Sequence, residues 1–362
     1  MVTRSRLELE LLGSIRDLSK VALPLGRLLT ELNALLREPL GYAGSCWHGT
    51  DPATGFVTST IVENLNPRGF ERAAYLEMWA PEPLTFTRLR ASGHRTGTLI
   101  QAAGGRPQDS ARFRELLEPE GFGDELRINF DLTSGCWGSA VFMRATDRGA
   151  FTAREVGLAT RLAPHISQLL CRAYPSDLSA GQDPLPPGVA VLGANGRLVS
   201  VDPRGEAILD DLAETGAASS GVPSGLIAVA EHARGLAAAG NPGLPSRSRV
   251  RTRQGRWLTL HATLLEGTPS GQVAIVAATA TPSEILPMAL MSMGFSPREQ
   301  DVALLVLRGH DTATIAQRLY ITPATVQDHL KSIFTKSGVR SRREFTARII
   351  GPLVNAALPP PG

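Results

Sequence analysis

The chain has 362 residues, more than one ordinary hydrophobic core organises, so two or three domains are expected. Its 43% hydrophobic and 20% charged residues are those of a folded soluble protein. No run of about 18 apolar residues occurs, and charges are scattered through the first segment, so neither a membrane span nor a secretory leader is expected.

The formal net charge of +3 is unevenly distributed along the chain. Residues 294–350 contain nine Lys and Arg against five Asp and Glu, whereas the rest of the chain has 28 against 29. This excess suits a small module that binds a polyanion, although so few charges also fit an ordinary surface. Three widely spaced cysteines, Cys46, Cys136 and Cys171, argue against a disulfide framework or zinc site and favour a reducing cytoplasm.

The first block, residues 1–175, begins with a predicted amphipathic helix over about residues 6–36, where apolar residues recur every three or four positions. Pro24 is expected to kink this helix or to start a new one. Four strand-like segments follow: AGSCWHG, FVTSTIV, LRINFDL and CWGSAVFMRA. A closing helix is predicted after Thr152, which can form a capping box with Glu155.

The end of this block resembles the last strand and last helix of GAF domains. The shared pattern is a strand carrying W-G, a short loop, and F-T-x-x-E opening the terminal helix. The resemblance implies an antiparallel sheet with flanking helices that often holds a small ligand. Aromatic and thiol side chains could line such a pocket, although they more commonly fill a core. The candidate pocket residues are Cys46, Trp47, Tyr75, Trp79, Phe86, Cys136 and Trp137.

A linker dense in Pro, Gly, Ser and Asp, residues 176–187, leads to the second block, residues 188–280. Two short apolar strands flank Ala194-Asn195-Gly196, which predicts a tight hairpin turn. A helix is expected from Pro203 after Asp202 as its cap, and further strands follow. This order of strand, strand, helices and strands resembles a PAS domain. The first two blocks are therefore predicted to be two α+β sensory domains.

After a short linker, residues 281–293, the segment 294–352 has densely marked helix boundaries. Small polar caps, Pro at the first helical position and terminal Gly residues predict four short helices. The expected caps are Ser296, Asp311 or Thr312, Thr322 and Ser341, and the first and third helices end at Gly309 and Gly338. Two short helices joined by a tight turn and flanked by two more are a helix-turn-helix arrangement.

This segment is similar to the DNA-binding domain of the LuxR/GerE regulators. It carries S-P-R-E, G-x-x-x-x-x-I-A, T-P-x-T-V, H-L and K-x-G-V-x-S-R at the family's spacing. The resemblance implies an all-α, four-helix domain whose third helix enters the major groove. It implies phosphate contacts at Thr312, Thr325 and Lys336, and base contacts at Gln327, Asp328 and Lys331.

The periodicity of the third helix agrees with this assignment. Three apolar residues fall on one side and should be buried: Val326, Leu330 and Ile333. The opposite side, which includes Thr335, is polar, and a helix of this width fits the major groove. Arg340 and Arg342 follow the helix and are expected to reach phosphates.

Asp328 places a carboxylate on the face expected to approach DNA, and Gln327 stands where family members often carry Lys. A carboxylate can accept from cytosine N4 and a glutamine can pair with adenine, each worth roughly 1–3 kcal/mol of discrimination. On this interpretation the helix binds DNA of arbitrary sequence more weakly but discriminates better between base sequences. Alternatively, Asp328 only pairs with Lys331 or Lys336 on a solvated face.

The fourth helix, with Ala347, Ile350 and Val354 on one side, is expected to pair with a second copy, as in the resembled family. Its apolar residues could instead only complete the core of the module. Residues 353–362 are predicted to be a disordered tail.

The sequence thus predicts a multidomain, cytoplasmic transcription regulator that binds double-stranded DNA as a homodimer. Its sensory domains would respond to a small molecule or a partner. Alternatively, the body is only a dimerisation scaffold. An enzyme using the first block is a further alternative, but no phosphate-binding loop, nucleophile elbow or metal-ligand spacing occurs. No catalytic residue, cofactor or metal is predicted.

Overall fold

The computed structural model describes residues 6–21, 23–66, 69–174, 186–212, 222–267 and 271–355. In these ranges the chain forms two five-stranded antiparallel sheets with flanking helices, followed by a helical C-terminal region. Most of the predicted first linker and tail residues 356–362 lie outside the described residues. None of the helices in the described part is long and apolar enough to cross a membrane.

The first block contains the first sheet. Its strands are β1 (Gly44–Thr50), β2 (Val57–Glu63), β3 (Thr96–Thr98), β4 (Phe122–Leu132) and β5 (Gly135–Ala145), in the order β2-β1-β5-β4-β3. Its helices are α1 (Arg6–Leu18), α2 (Leu25–Leu40), α3 (Phe70–Met78), α4 (Phe86–Ala91), α5 (Leu99–Ala102) and α6 (Ala153–Ala173). The long predicted N-terminal helix is two helices, because Pro24 caps the start of α2.

Helices α1, α2 and α6 cover one face of this sheet and bury an apolar core against it. The capping box predicted for α6 is confirmed: Thr152 accepts from the Glu155 N–H, and the Glu155 carboxylate accepts from the Thr152 N–H. The same carboxylate pairs with Arg144 on β5 at 2.7 Å. Burial alone would raise the pKa of Glu155, but these hydrogen bonds outweigh it and lower the pKa to about 2.

The second block contains the second sheet, with the same order of strands. Its strands are β6 (Gly188–Leu192), β7 (Leu198–Val201), β8 (Ser246–Arg251), β9 (Trp257–Leu264) and β10 (Val273–Thr279), in the order β7-β6-β10-β9-β8. Its helices are α7 (Pro203–Leu212) and α8 (Ser224–Ala238). The hairpin turn predicted between β6 and β7 is confirmed, with Gly196 at φ +67°. Asp202 caps α7 by accepting from the Gly205 N–H at 2.6 Å.

Helix α8 packs against the first block as well as against its own sheet, with contacts to α3 and β2. The Thr60 hydroxyl donates to Ser224 Oγ at 2.8 Å, and Trp79 Nε1 donates to the Glu231 carbonyl oxygen at 3.1 Å. Gly235 permits the close approach, because a Cβ at this position would lie 1.7 Å from the Trp79 ring. The two blocks therefore share a packed interface.

A buried ion pair also joins the blocks. Asp51, which follows β1, is fully buried and accepts from Arg249 Nη2 at 2.7 Å and Nε at 2.8 Å. Arg249 lies on β8, so the bidentate pair connects the two sheets. A carboxylate and a guanidinium in this geometry form a strong, directional contact.

Most of the segment predicted as a second linker is a helix, α9 (Pro282–Ser292). Arg249 Nη1 donates to the Glu284 carbonyl oxygen at 2.7 Å, which attaches the start of α9 to the second block. The Cys171 thiol at the end of α6 lies 3.5 Å from the Ser292 carbonyl oxygen, which attaches its end to the first block. Helix α9 is thus held by both blocks before the chain enters the C-terminal region.

The C-terminal region is helical. Its helices are α10 (Pro297–Leu307), α11 (Thr312–Leu319), α12 (Pro323–Ser337) and α13 (Arg342–Asn355). Ser296, Asp311 and Thr322 each accept from the backbone N–H three residues on, so Asp311 and not Thr312 is the cap of α11. Gly338, at φ +65°, ends α12. Helix α13 extends past residue 352, into the segment predicted as the tail.

Candidate nucleic-acid interface and cavity

Helix α12 has one buried and one exposed side. Val326, Leu330 and Ile333 are buried against the neighbouring helices α10, α11 and α13. The side chains on the opposite side are exposed: Ala324, Gln327, Asp328, Lys331 and Thr335. The hydrophobic spacing therefore predicted correctly which side of α12 is buried and which is exposed, and an α-helix fits into the major groove.

Thr312, at the start of α11, is held between two donors. Arg342 Nη2 donates to its hydroxyl oxygen at 2.8 Å, and Gln327 Nε2 donates to the same atom at 3.3 Å. Arg342 Nη1 is itself anchored on the His310 carbonyl oxygen. Because the Thr312 oxygen already accepts twice, its own O–H remains as a donor. Arg342, for which the sequence predicts a phosphate contact, thus donates to both His310 and Thr312 in this structure.

Lys336 is held against the start of α10. Its ammonium donates to Glu299 at 2.7 Å and to the Gly294 carbonyl oxygen at 3.0 Å. Burial alone would raise the pKa of Glu299, but hydrogen bonds from Lys336, Ser332 and the Ser296 N–H outweigh it and lower the pKa to about 2. One ammonium hydrogen of Lys336 remains for an external acceptor.

Asp328 and Lys331 both point outward, and among the described residues neither side chain has an ion-pair or hydrogen-bond partner. The alternative in which Asp328 pairs with Lys336 does not fit this arrangement, since Lys336 is bound to Glu299. Thr325 lies half-buried in the first turn, and Arg340 is exposed after α12.

Tyr320 is a surface residue that the sequence analysis missed. It is 95% exposed and sits at φ +55° in the turn between α11 and α12. Its exposure could have been predicted from its position in the turn between two well-marked helix boundaries, because an aromatic ring there has no hydrophobic core to pack into.

The candidate pocket residues of the first block do not converge on one site. Cys46 and Phe86 line a cavity of about 150 Å³ on the sheet face opposite to α2 and α6. Trp47 and Trp137 are fully buried on the other face, in the apolar core, so the expectation that they border a pocket is corrected. The reason is the strand itself, in which successive side chains point to opposite faces.

The remaining candidates lie away from the cavity. Tyr75 is partly exposed and stacks with Arg72. Trp79 packs on His232 of α8 with ring centroids 6.0 Å apart. The Cys136 thiol donates to the Gly138 carbonyl oxygen, and burial raises its pKa to about 11.

The cavity contains charged groups that sequence reasoning did not identify. On β4, Glu125 is fully buried and accepts from Arg112 Nε at 2.7 Å and from Arg127 Nε at 2.6 Å. Arg127 also pairs with Glu77 of α3. Burial, together with the nearby Arg112 and Arg127 charges, lowers the pKa of His48 to about 3, so its imidazole is neutral. The alternating charges in DELRINF were the only local sign of this network.

Metal-binding clusters are missing from the part of the chain that the structure describes: no group of three or more His, Cys, Asp or Glu side chains could hold an ion. The three cysteines are buried, and none of them forms a disulfide. Burial raises the pKa of Cys171 to about 12, which keeps this thiol protonated.

Residues 293–348 match the sequence model described as "Bacterial regulatory proteins, luxR family". Two curated proteins named as HTH-type transcriptional regulators, from Mycobacterium bovis and Mycobacterium tuberculosis, are each 45% identical over 47 residues. That segment is 13% of this chain and 5% of each relative, so the chain spans only a small part of their length.

Among solved structures, the chain is similar to a complex of VqmA from Vibrio cholerae with ligand and DNA. The identity is 16%, the coverage is 48% of this chain and 86% of that chain, and the TM-score is 0.25. SdiA in complex with octanoyl-rac-glycerol is 13% identical, with 97% of both chains covered and a TM-score of 0.29.

Proposed function

Residues 293–348 form a LuxR-family helix-turn-helix domain, and we propose from this that the protein is a transcriptional regulator that binds double-stranded DNA through α12. The observation that carries the proposal is the exposed polar side of α12, whose Asp328 and Lys331 have no partner among the described residues. A helix presenting such a side to solvent can enter the major groove and contact base edges.

The proposed contacts divide by position. Gln327, Asp328 and Lys331 meet base edges, and Thr335 lies at the margin of the same face. Thr312, Thr325, Lys336 and Arg340 contact phosphates, and Arg342 acts through Thr312. The Gln327 amide oxygen and its second N–H stay available for adenine, since only one N–H is spent on Thr312.

The proposed regulator is cytoplasmic, acts by binding and not by catalysis, and works as a homodimer paired through α13. A two-fold dimer would place one α12 in each half of a palindromic site and double the phosphate contacts. Ala347 is exposed and Ile350 half-buried on α13, which supports a pairing surface there. The side chain of Val354 lies outside the described residues.

The two sheet blocks, residues 1–175 and 188–280, are proposed to be GAF-like and PAS-like sensory domains ahead of the DNA-binding domain, residues 294–352. The cavity of the first block supports a sensory role over a scaffold role, because a mainly apolar cavity with a few polar groups is the usual form of a small-molecule site. A ligand there acts only through its differential affinity for two arrangements of the chain.

The test of DNA binding is an electrophoretic mobility or fluorescence anisotropy assay against a selected operator, measured across salt concentrations. We expect affinity to fall steeply with salt and to vanish when residues 294–362 are deleted. Lys331→Ala should weaken binding to the operator by about 1–3 kcal/mol. Lys20→Ala, at an exposed lysine in the turn after α1, is the control and should have no effect. Equal losses in the two variants would refute the assigned face.

A further inference from the structure

The cavity in the first block lies at the interface between the two blocks. Its walls come from the first sheet, from α3 and, on the second block, from Ser224, Ile227 and Ala228 of α8. The Thr60 hydroxyl, also in the wall, donates to Ser224 Oγ across the junction. A molecule bound here would therefore touch both blocks at once.

Most of the cavity wall is apolar. The apolar lining includes Phe70, Met78, Phe122, Val141, Met143 and Ile227. A volume of about 150 Å³ is that of a cavity that accommodates benzene in another protein, so the space suits a single substituted ring or a short branched chain.

One end of the cavity offers hydrogen-bond donors. Arg112 is 8% exposed and Arg127 is 1% exposed, and both line the cavity. Arg112 uses Nε on Glu125, and Arg127 uses Nε on Glu125 and Nη1 on Glu77. Among the described residues, the two Nη atoms of Arg112 and the Nη2 atom of Arg127 have no acceptor. Because both guanidinium groups line the cavity, these remaining donors can reach a ligand atom that accepts from them.

The charges in this network cancel. Arg112 and Arg127 are matched by Glu77 and Glu125, and Glu120 adds a negative charge among the lining residues. An anionic ligand would lose its hydration without meeting an unmatched positive charge, whereas a neutral acceptor loses little. His48 provides a neutral ring beside Cys46 and Thr60.

We propose that this cavity binds a small, uncharged, largely apolar molecule of about the size of one substituted ring, with a carbonyl or similar acceptor directed at Arg112 and Arg127. The bound molecule fastens α8 of the second block to the first sheet. This inference rests on the sensory role proposed above and names the class of its ligand.

The test uses the full chain, isothermal titration calorimetry and thermal shift, and three probes of the same shape. Benzamide is neutral and carries an acceptor, benzoate is the anionic analogue, and isopropylbenzene lacks polar atoms. We expect benzamide to bind at least about tenfold tighter than either of the others, the effect of one hydrogen bond to a charged donor. Tighter binding of benzoate, equal binding of isopropylbenzene, or binding of none of the three overturns the proposal.

Variants locate the bound probe. Ala228→Leu fills the cavity from α8, and Ala73→Leu fills it from α3; both should abolish benzamide binding. Ala238→Leu, at an exposed position of α8, is the matched control and should bind normally. Arg112→Lys keeps the charge but removes the Nη donors, and should weaken benzamide about tenfold while leaving isopropylbenzene unchanged. Binding that survives both cavity-filling variants contradicts the assigned site.

Neither isothermal titration calorimetry nor thermal shift uses DNA here, so ligand binding is tested independently of DNA binding. A protein that binds benzamide as described but no operator would refute the regulator and leave the ligand class intact. A protein that binds its operator but none of the probes would do the reverse.

Discussion

Glu299 holds the start of α10 and the end of α12 together, and we expect Glu299→Gln to loosen both. The carboxylate accepts from the Ser296 N–H, from Ser332 at 2.5 Å and from Lys336 at 2.7 Å. Ser296 and Lys336 donate to one carboxylate oxygen and Ser332 donates to the other. Glutamine has a single acceptor oxygen, so it can keep the contacts of only one of the two oxygens, and it also loses the charge that pairs with Lys336.

The size of the effect follows from the pKa of Glu299, which is about 2 in the folded protein against an ordinary value of 4.5. By linkage, the charged form stabilises the folded state by up to about 3 kcal/mol. Because the pKa is lowered on folding, this contribution is complete above about pH 4.5 and is lost as the pH falls towards about 2. Glutamine retains some contacts, so a loss of about 2 kcal/mol at neutral pH is expected.

Native-state hydrogen exchange of the full chain, read by mass spectrometry, measures this loss locally. Peptides from α10 and α12 should exchange about 10- to 100-fold faster in Glu299→Gln, and peptides from the two sheets should not change. Glu344→Gln is the matched control, since Glu344 is exposed and, within the part of the chain that the structure describes, its carboxylate accepts only from the Arg340 N–H. Equal exchange in the two variants, or an effect of Glu299→Gln that does not shrink in acid, would refute the reasoning.

Three further predictions test other contacts. Asp328→Ala should relax selectivity at one base position, measured by binding to a library of operator variants; an unchanged preferred sequence would show that Asp328 reads no base. Asp51→Asn should lower the free energy of unfolding in urea by about 3–5 kcal/mol, because it leaves the buried Arg249 guanidinium without its charged partner; a loss below about 1 kcal/mol would contradict this. Gly235→Ala should destabilise the protein by about 1–3 kcal/mol through its clash with Trp79, whereas Gly13→Ala, in open space within α1, should stabilise it by about 0.5–1 kcal/mol in the same assay.

The C-terminal helices were predictable from the sequence because their signals are local. Ser296, Asp311 and Thr322 lie within three residues of the N–H groups that they cap, and Gly338 ends α12 in the expected backbone conformation. Such signals depend on neighbouring residues alone, so no knowledge of the tertiary fold was needed.

The cavity was not predictable because its walls come from distant parts of the chain. Arg112, Arg127 and Ala228 meet only after two sheets have formed and packed. The alternation of side chains along a strand could still have separated the candidate pocket residues by sheet face. In Cys46-Trp47-His48 the first and third side chains lie on one face, and Trp47 lies on the other. Asp51 and Arg249, which form the ion pair between the blocks, are also far apart in the sequence, and no local sequence pattern predicts that they pair.

Helix α9 is tied near its start to Arg249 and at its end to Cys171. A helix has a fixed length, whereas a flexible linker rich in Gly and Ser has a variable end-to-end distance. A rotation of the two sheet blocks would therefore move α12 as well. In a symmetric dimer, the two movements would change the distance between the two copies of α12. Regulation through α9 would then change which spacing of the two half-sites the dimer prefers. Affinities for operators that differ only in the number of base pairs between their half-sites would therefore depend on the arrangement of the two sheet blocks.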